Sequence, residues 1–184
     1  MPIDLRPPPP TLLIAAIMAC DEGMLSQARE RMAESIAPIH QLGPVYAFEE
    51  YSSYYEKEMG AGLFKQLVWF EGLVDPAVLP QVKGRMMELE RMMGFEEGGQ
   101  VRRRANLDPG LVTIESLVLA STKYSGHRIC IGPGLYAETT LLFQKGQYRP
   151  LEWTYQDFRT EAAQAFLLEI RGWLLPRRVR GGAP

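Results

Sequence analysis

The stretch Leu12–Ala19 is apolar at every position and eight residues long. A strand with one wet face alternates polar and apolar side chains, and a membrane span needs roughly 18 apolar residues. Neither description fits. The segment Thr11–Met18 therefore reads as a central strand buried on both faces, and the rest of the chain must supply its cover.

The following residues suggest how. Asp21 can cap a helix from about Met24 to Ala37, on which Met24, Ala28, Met32 and Ile36 recur every four residues. Gly43-Pro44 closes that unit. Val45–Tyr51 and Phe64–Phe70 read as strands by their β-branched and aromatic content, with Tyr54–Gly60 as a polar connector. Asp75-Pro76 opens a second helix. Val82, Met86, Leu89 and Met93 give it a stripe, and Gly94 stops it. Val101–Leu107, next to the basic run Arg102-Arg103-Arg104, is a fourth strand. The order β-α-β-β-α-β predicts an α+β, ferredoxin-like antiparallel sheet with both helices on one face.

Asp108-Pro109-Gly110 then reads as a turn, and Thr113 as the cap of a short helix over Ile114–Ser121. A β-meander follows: Gly126–Ile131, Leu135–Gln144 and Gln147–Trp153. Its tight turns are Pro133-Gly134 and Lys145-Gly146. A last helix covers about Thr160–Leu175, with Ala163, Phe166, Leu167 and Ile170 on one face. The reading is one domain over residues 1–184, with 1–10 and 177–184 flexible.

Bulk composition narrows the function. The chain is 46% hydrophobic and 23% charged, which supports a proper core and argues against global disorder. A net charge of −2 does not call for nucleic acid or an anionic membrane as partner. Cys20 and Cys130 lack a CxxC spacing and read as two buried free thiols. With no signal peptide or membrane span, the expected location is cytoplasmic. No P-loop, GxGxxG, HExxH or GxSxG occurs, and the two histidines, His40 and His127, are too few for a histidine-built zinc site.

What remains is geometric. If the two meander turns each hold two residues, His127 faces Thr140, Glu138 faces Trp153 and Tyr136 faces Tyr155. Alternation then gathers His127, Tyr136, Glu138, Thr140, Trp153 and Tyr155 on one face. Cys130, Ala137, Thr139, Leu141 and Phe143 take the other. The first face is polar, acidic and aromatic together, which suits either a pocket or a solvated sheet side. As a pocket it would take a small anionic molecule, phosphorylated or nucleotide-like. His127 and Glu138 would form an acid–base pair, and Tyr136, Trp153 and Tyr155 would contact the ligand. Arg104, Lys123 and Arg159 would meet its anionic group, and Asp108 and Asp157 could hold a divalent metal. The alternative is a non-enzymatic interaction module, homodimeric through the aromatic face.

Several segments together resemble a known family. They are Tyr54-Tyr55-Glu56-Lys57-Glu58-Met59-Gly60, Asn106-Leu107-Asp108-Pro109-Gly110, Leu119-Ala120-Ser121-Thr122-Lys123, His127-Arg128, Tyr136-Ala137-Glu138 and Leu151-Glu152-Trp153-Thr154-Tyr155, with Asp157 and Arg159. In this order they resemble the bacterial and archaeal family DUF4416. Gln156 and Phe158 depart from its pattern, where proline and tyrosine are expected, and the proline arm is longer. The resemblance implies a whole-chain, single-domain family with no defined chemistry. Some members carry a GTP-binding description, which the missing P-loop does not support here.

Overall fold

The computed structural model describes residues 7–181. The outer parts of the expected flexible arm and tail lie outside the described residues. β1 (Leu12–Ala19) leads through α1 (Glu22–Ser35) to β2 (Ile39–Ala47). A strap then crosses the end of the sheet, with a 3-10 turn at Phe48–Glu50 and the short α2 (Glu56–Met59), before β3 (Phe64–Phe70). α3 (Leu79–Met93) is followed by a small hairpin of β4 (Phe95–Glu97) and β5 (Gln100–Arg102). β6 (Ala105–Val112), β7 (Ser116–Ser121), β8 (Ile129–Gly132), β9 (Leu135–Gln144) and β10 (Gln147–Pro150) come next, then α4 (Glu161–Gly181).

The fold is α+β. The main sheet is antiparallel, in the order β10-β9-β7-β6-β1-β3-β2, with β8 also paired to β9. Its strand order differs from that of a plain four-stranded sheet, because three further strands continue past β6 and β8 joins them. β1 is buried at every position, as its apolar run requires. Its odd residues Leu13, Ala15 and Ile17 pack with α1 and α3 through Met24, Leu25, Met86 and Leu89. Its even residues Leu12, Ile14 and Ala16 pack with α4 through Phe166, Leu167 and Ile170. Farther along that second face, Met18 meets the strap at Phe48, Met59 and Leu63.

Local signals behave as read. Asp21 Oδ1 accepts the Met24 N–H at 2.7 Å, and Asp75 caps the turn entering α3. Gly132 pairs with Leu135 and Gln144 with Gln147, so both meander turns hold two residues. Lys145 and Gly146 both have positive φ, the backbone of a tight hairpin turn.

Other expectations are corrected. β2 begins earlier and runs through Gly43-Pro44, which occupy a bulge of this edge strand, where a missing N–H is tolerated. Asp108-Pro109-Gly110 is not a turn but the middle of β6. Segment 114–121 is not a helix. Thr113 Oγ1 accepts the Glu115 and Ser116 N–H groups, tightening a turn that returns as β7 beside β6. The last meander strand stops at Pro150, because Leu151 N–H turns to Thr154 Oγ1. α4 continues past Leu175 to Gly181, with Arg177 folded over the Trp173 ring. Cys130 lies exposed on β8 and Cys20 is half-buried, so they are free but not core thiols.

The predicted face fails because the β8–β9 register shifts between Cys130 and Gly132, because β10 ends before Trp153, and because β9 carries a second bulge against β7. Between Leu117↔Leu141 and Val118↔Thr139 the β7–β9 register slips by one residue. That bulge reverses the alternation. Leu141 and Glu138 come to lie on the same side, opposite Leu117 and Leu119, rather than on opposite sides.

Candidate functional site

The sheet splits next to this bulge. β6 and β7 pair only from Gly110↔Leu119 to Val112↔Leu117. Pro109 has no N–H to offer, and from there to Ala105 the strand is locally an edge on its β7 side. A two-lobed cleft occupies the split. One lobe, about 310 Å³, is walled by α3, the β5 end, β6 and β7. The other, about 430 Å³, lies over Ala16 and Met18, between the strap and segment 153–158. Tyr55, Asn106, Asp108, Leu119, Lys123 and Tyr155 line both.

Charged networks hold the walls. Lys83 crosses from α3 into the split and donates to Leu107 O and Asp108 Oδ1, both at 2.8 Å. Asn106 Nδ2 donates to Asp108 Oδ2 at 2.6 Å, and Arg103 donates to Asn106 Oδ1 at 2.7 Å. Arg103 also forks onto both oxygens of Glu58, at 2.6 and 2.7 Å, which ties the strap to β6. Burial opposes ionisation of Asp108, but the Lys83 charge and the hydrogen bonds from Lys83 and Asn106 outweigh it and hold the carboxyl below its ordinary range. Glu90 has the opposite balance. Its burial pushes the carboxyl up, although Lys83 and the Leu107 N–H pull the other way.

A second network centres on Arg128. Its Nε donates to Glu138 Oε2 at 2.7 Å, Nη1 to Ser121 Oγ and Lys123 O, and Nη2 to Tyr155 OH at 3.0 Å. His127 Nε2 lies 2.8 Å from the same Glu138 oxygen, and Ser125 Oγ 3.0 Å from Nδ1. The Trp153 indole stacks on His127 and donates to Thr139 O. In the second lobe, Lys65 pairs with Asp157 at 2.6 Å, flanked by the Phe48 and Phe158 rings, and Tyr46 donates to the same carboxylate.

Of the residues chosen from sequence, Lys123, Glu138, Tyr155, Trp153, Asp108 and Asp157 line the cleft. His127 stands behind Glu138 instead of in the wall. Three others are elsewhere. Arg104 is exposed and meets Asp21 at 3.5 Å. Tyr136 packs edge-on against Tyr124. Arg159 donates to the carbonyls of Leu151, Glu152 and Thr154, locking the turn after β10. The metal reading of Asp108 and Asp157 gains no support. Each already faces a lysine ammonium, which repels a divalent cation, and among the described residues no three metal-binding side chains are grouped.

Sequence reasoning missed Lys83, Glu90, Arg103, Glu58, Lys65 and Arg128. One signal was present. Lys83, Met86, Glu90 and Met93 share the core-facing stripe of α3, and charges inside an apolar stripe need buried partners.

Fold and cleft together define an α+β protein whose sheet opens into one charged, aromatic-walled cavity. The chain belongs to the family described as domain of unknown function DUF4416, whose profile matches residues 9–173. Neither a curated protein nor a solved structure matches it. No helix among the described residues is long and apolar enough to cross a membrane.

Proposed function

We propose that the chain binds a small anionic molecule with a planar portion, phosphorylated or nucleotide-like, in this cleft. The observation that carries the reading is Lys123. It stands on the wall common to both lobes, 4.1 Å above the Tyr54 ring and 5.0 Å from that of Tyr55. It forms no ion pair among the described residues, whereas Lys65, Lys83 and Arg103 are all matched to carboxylates. An anion in the cleft would complete it. Tyr51, Tyr54, Phe158 and Trp153 give the second lobe flat apolar walls for a ring.

Glu138 is the acid–base group at the cleft, and His127 would act on it by orientation. Trp153 favours the pocket over a partner-binding face, since its ring is engaged by His127 and its N–H by Thr139. We also read residues 12–112 as a split-βαβ unit. The run β6-β1-β3-β2 and the packing of α1 and α3 on one side support this.

The test is a thermal-shift panel of phosphorylated metabolites and nucleotides, with and without Mg²⁺. Saturation at about 100 times Kd adds roughly 2.7 kcal/mol, a rise of several degrees. Lys123→Ala should remove it. A panel without any stabilisation rejects the proposal.

A further inference from the structure

We infer that the ligand carries hydroxyl groups beside its anionic group, as a sugar phosphate does, free or within a ribonucleotide. This rests on the cleft reading above and assigns new roles to Glu138 and Asp108: acceptors for ligand hydroxyls.

The argument is a count of hydrogen-bonding capacity. A carboxylate only accepts, and offers about four lone-pair sites over two oxygens. Glu138 has a side chain just 2% exposed, and both its bonds, from His127 and Arg128, end on Oε2. Oε1 receives none from the described residues, although Glu138 lines the first lobe. An acceptor left open on the wall of a cleft is free for a donor that enters it. Asp108 takes one bond on each oxygen and keeps its side chain 31% open at the junction of the lobes. The Tyr55 hydroxyl, also at the junction, has no partner among the described residues. Tyr155 accepts from Arg128, which leaves its own proton to donate.

The cleft thus asks for groups that donate to its open carboxylate oxygens and accept from its two tyrosine hydroxyls, and a hydroxyl does both. Arg128 already neutralises Glu138, and Lys83 neutralises Asp108, so an ammonium on the ligand would find no net negative charge. Neutral O–H groups fit: they satisfy the open acceptors without adding charge. The anionic group then falls to Lys123, with Thr122 beside it on the same wall. A phosphate bearing only an aromatic group would leave Glu138 Oε1 and Asp108 unmatched.

The test is calorimetric titration of the whole chain with ribose 5-phosphate, adenosine 5′-monophosphate, 2′,3′-dideoxyadenosine 5′-monophosphate and phenyl phosphate. Binding of the ribonucleotide at least tenfold tighter than its dideoxy counterpart is expected. Ribose 5-phosphate against the ribonucleotide separates the free sugar from the nucleotide as source. Glu138→Gln should collapse the preference to near unity. Its amide oxygen would stay with His127 and Arg128, which turns a donor NH₂ toward the cleft. Should that variant not fold, the ribo/dideoxy pair on the unaltered chain decides alone. Equal binding of the pair, with phenyl phosphate bound as well, overturns this inference and leaves the anion-binding reading standing. No binding by any probe overturns both.

Discussion

The His127 imidazole lies flat on the Trp153 indole, ring centroids 4.6 Å apart and 9° from parallel. Behind the stack, the Trp153 N–H reaches Thr139 O at 2.8 Å. The pair couples the β8 approach to the turn after β10, two segments with no strand pairing between them. Trp153→Ala removes a ring pair worth about 1 kcal/mol and a hydrogen bond worth about 1 kcal/mol. A loss of about 2 kcal/mol in urea denaturation is expected. Trp153→Phe, which keeps a ring but no donor, should recover about half. Equal losses for both would mean that the stack contributes nothing.

Arg128 organises four cleft residues, Glu138, Ser121, Lys123 and Tyr155, from a side chain 7% exposed. Arg128→Ala leaves the buried Glu138 carboxylate with His127 as its one remaining partner among the described residues, at a cost of about 3 kcal/mol. Arg128→Lys keeps the charge without the fork, so it should regain part of the stability while ligand affinity stays reduced. Full recovery of affinity by lysine would show that charge alone suffices.

The pH dependence follows from two carboxyls shifted in opposite directions. Asp108 is held below its reference value of 3.8, with burial resisting and Lys83 prevailing. The unfolded chain therefore takes up this proton first. Stability from Asp108 is present above 3.8 and lost as pH falls through the lowered folded value. The difference in stability between wild type and Asp108→Asn should shrink through that window. Glu90 is raised above its reference of 4.5 by burial, so its contribution is intact below 4.5 and lost as pH rises through the raised value. Denaturation curves of Glu90→Gln should gain on wild type over that rise. A pH-independent offset in either variant would contradict the assigned shift.

Gly110 sits where β6 and β7 begin to part. A Cβ there would lie 2.6 Å from Leu119 Cδ2 and 2.8 Å from the Val118 carbonyl oxygen. The carbonyl belongs to the ladder and cannot move aside. Gly110→Ala should cost about 1–3 kcal/mol by overpacking. Thermal denaturation checks this, with half-buried Gly84→Ala on α3, whose Cβ meets nothing within 4 Å, as the tolerated comparison.

Only part of the site could be read from the chain. Lys123, Glu138 and Tyr155 were chosen for the cleft and line it. Arg104 and Arg159 were chosen for the same charge and do other work, because charge does not reveal which carboxylate or carbonyl a side chain will find. Lys65 and Asp157, 92 positions apart, become partners only after β3 and the segment beyond β10 meet over the strap. No spacing rule reaches that far.

What the sequence determined is what short-range physics controls. The unbroken apolar run made β1 central, Asp21 and Asp75 set helix starts, and Pro133-Gly134 and Lys145-Gly146 set hairpin turns. Tertiary structure decided the rest. It carried β6 straight through Asp108-Pro109-Gly110, because Pro109 could face a gap instead of a partner strand. It also placed one extra residue in β9, which turned Glu138 to the side of Leu141. Side chains alternate with a period of two along a strand, so a single inserted residue exchanges the faces of everything beyond it. Only pairing with β7 reveals that residue, and the cleft opens beside it.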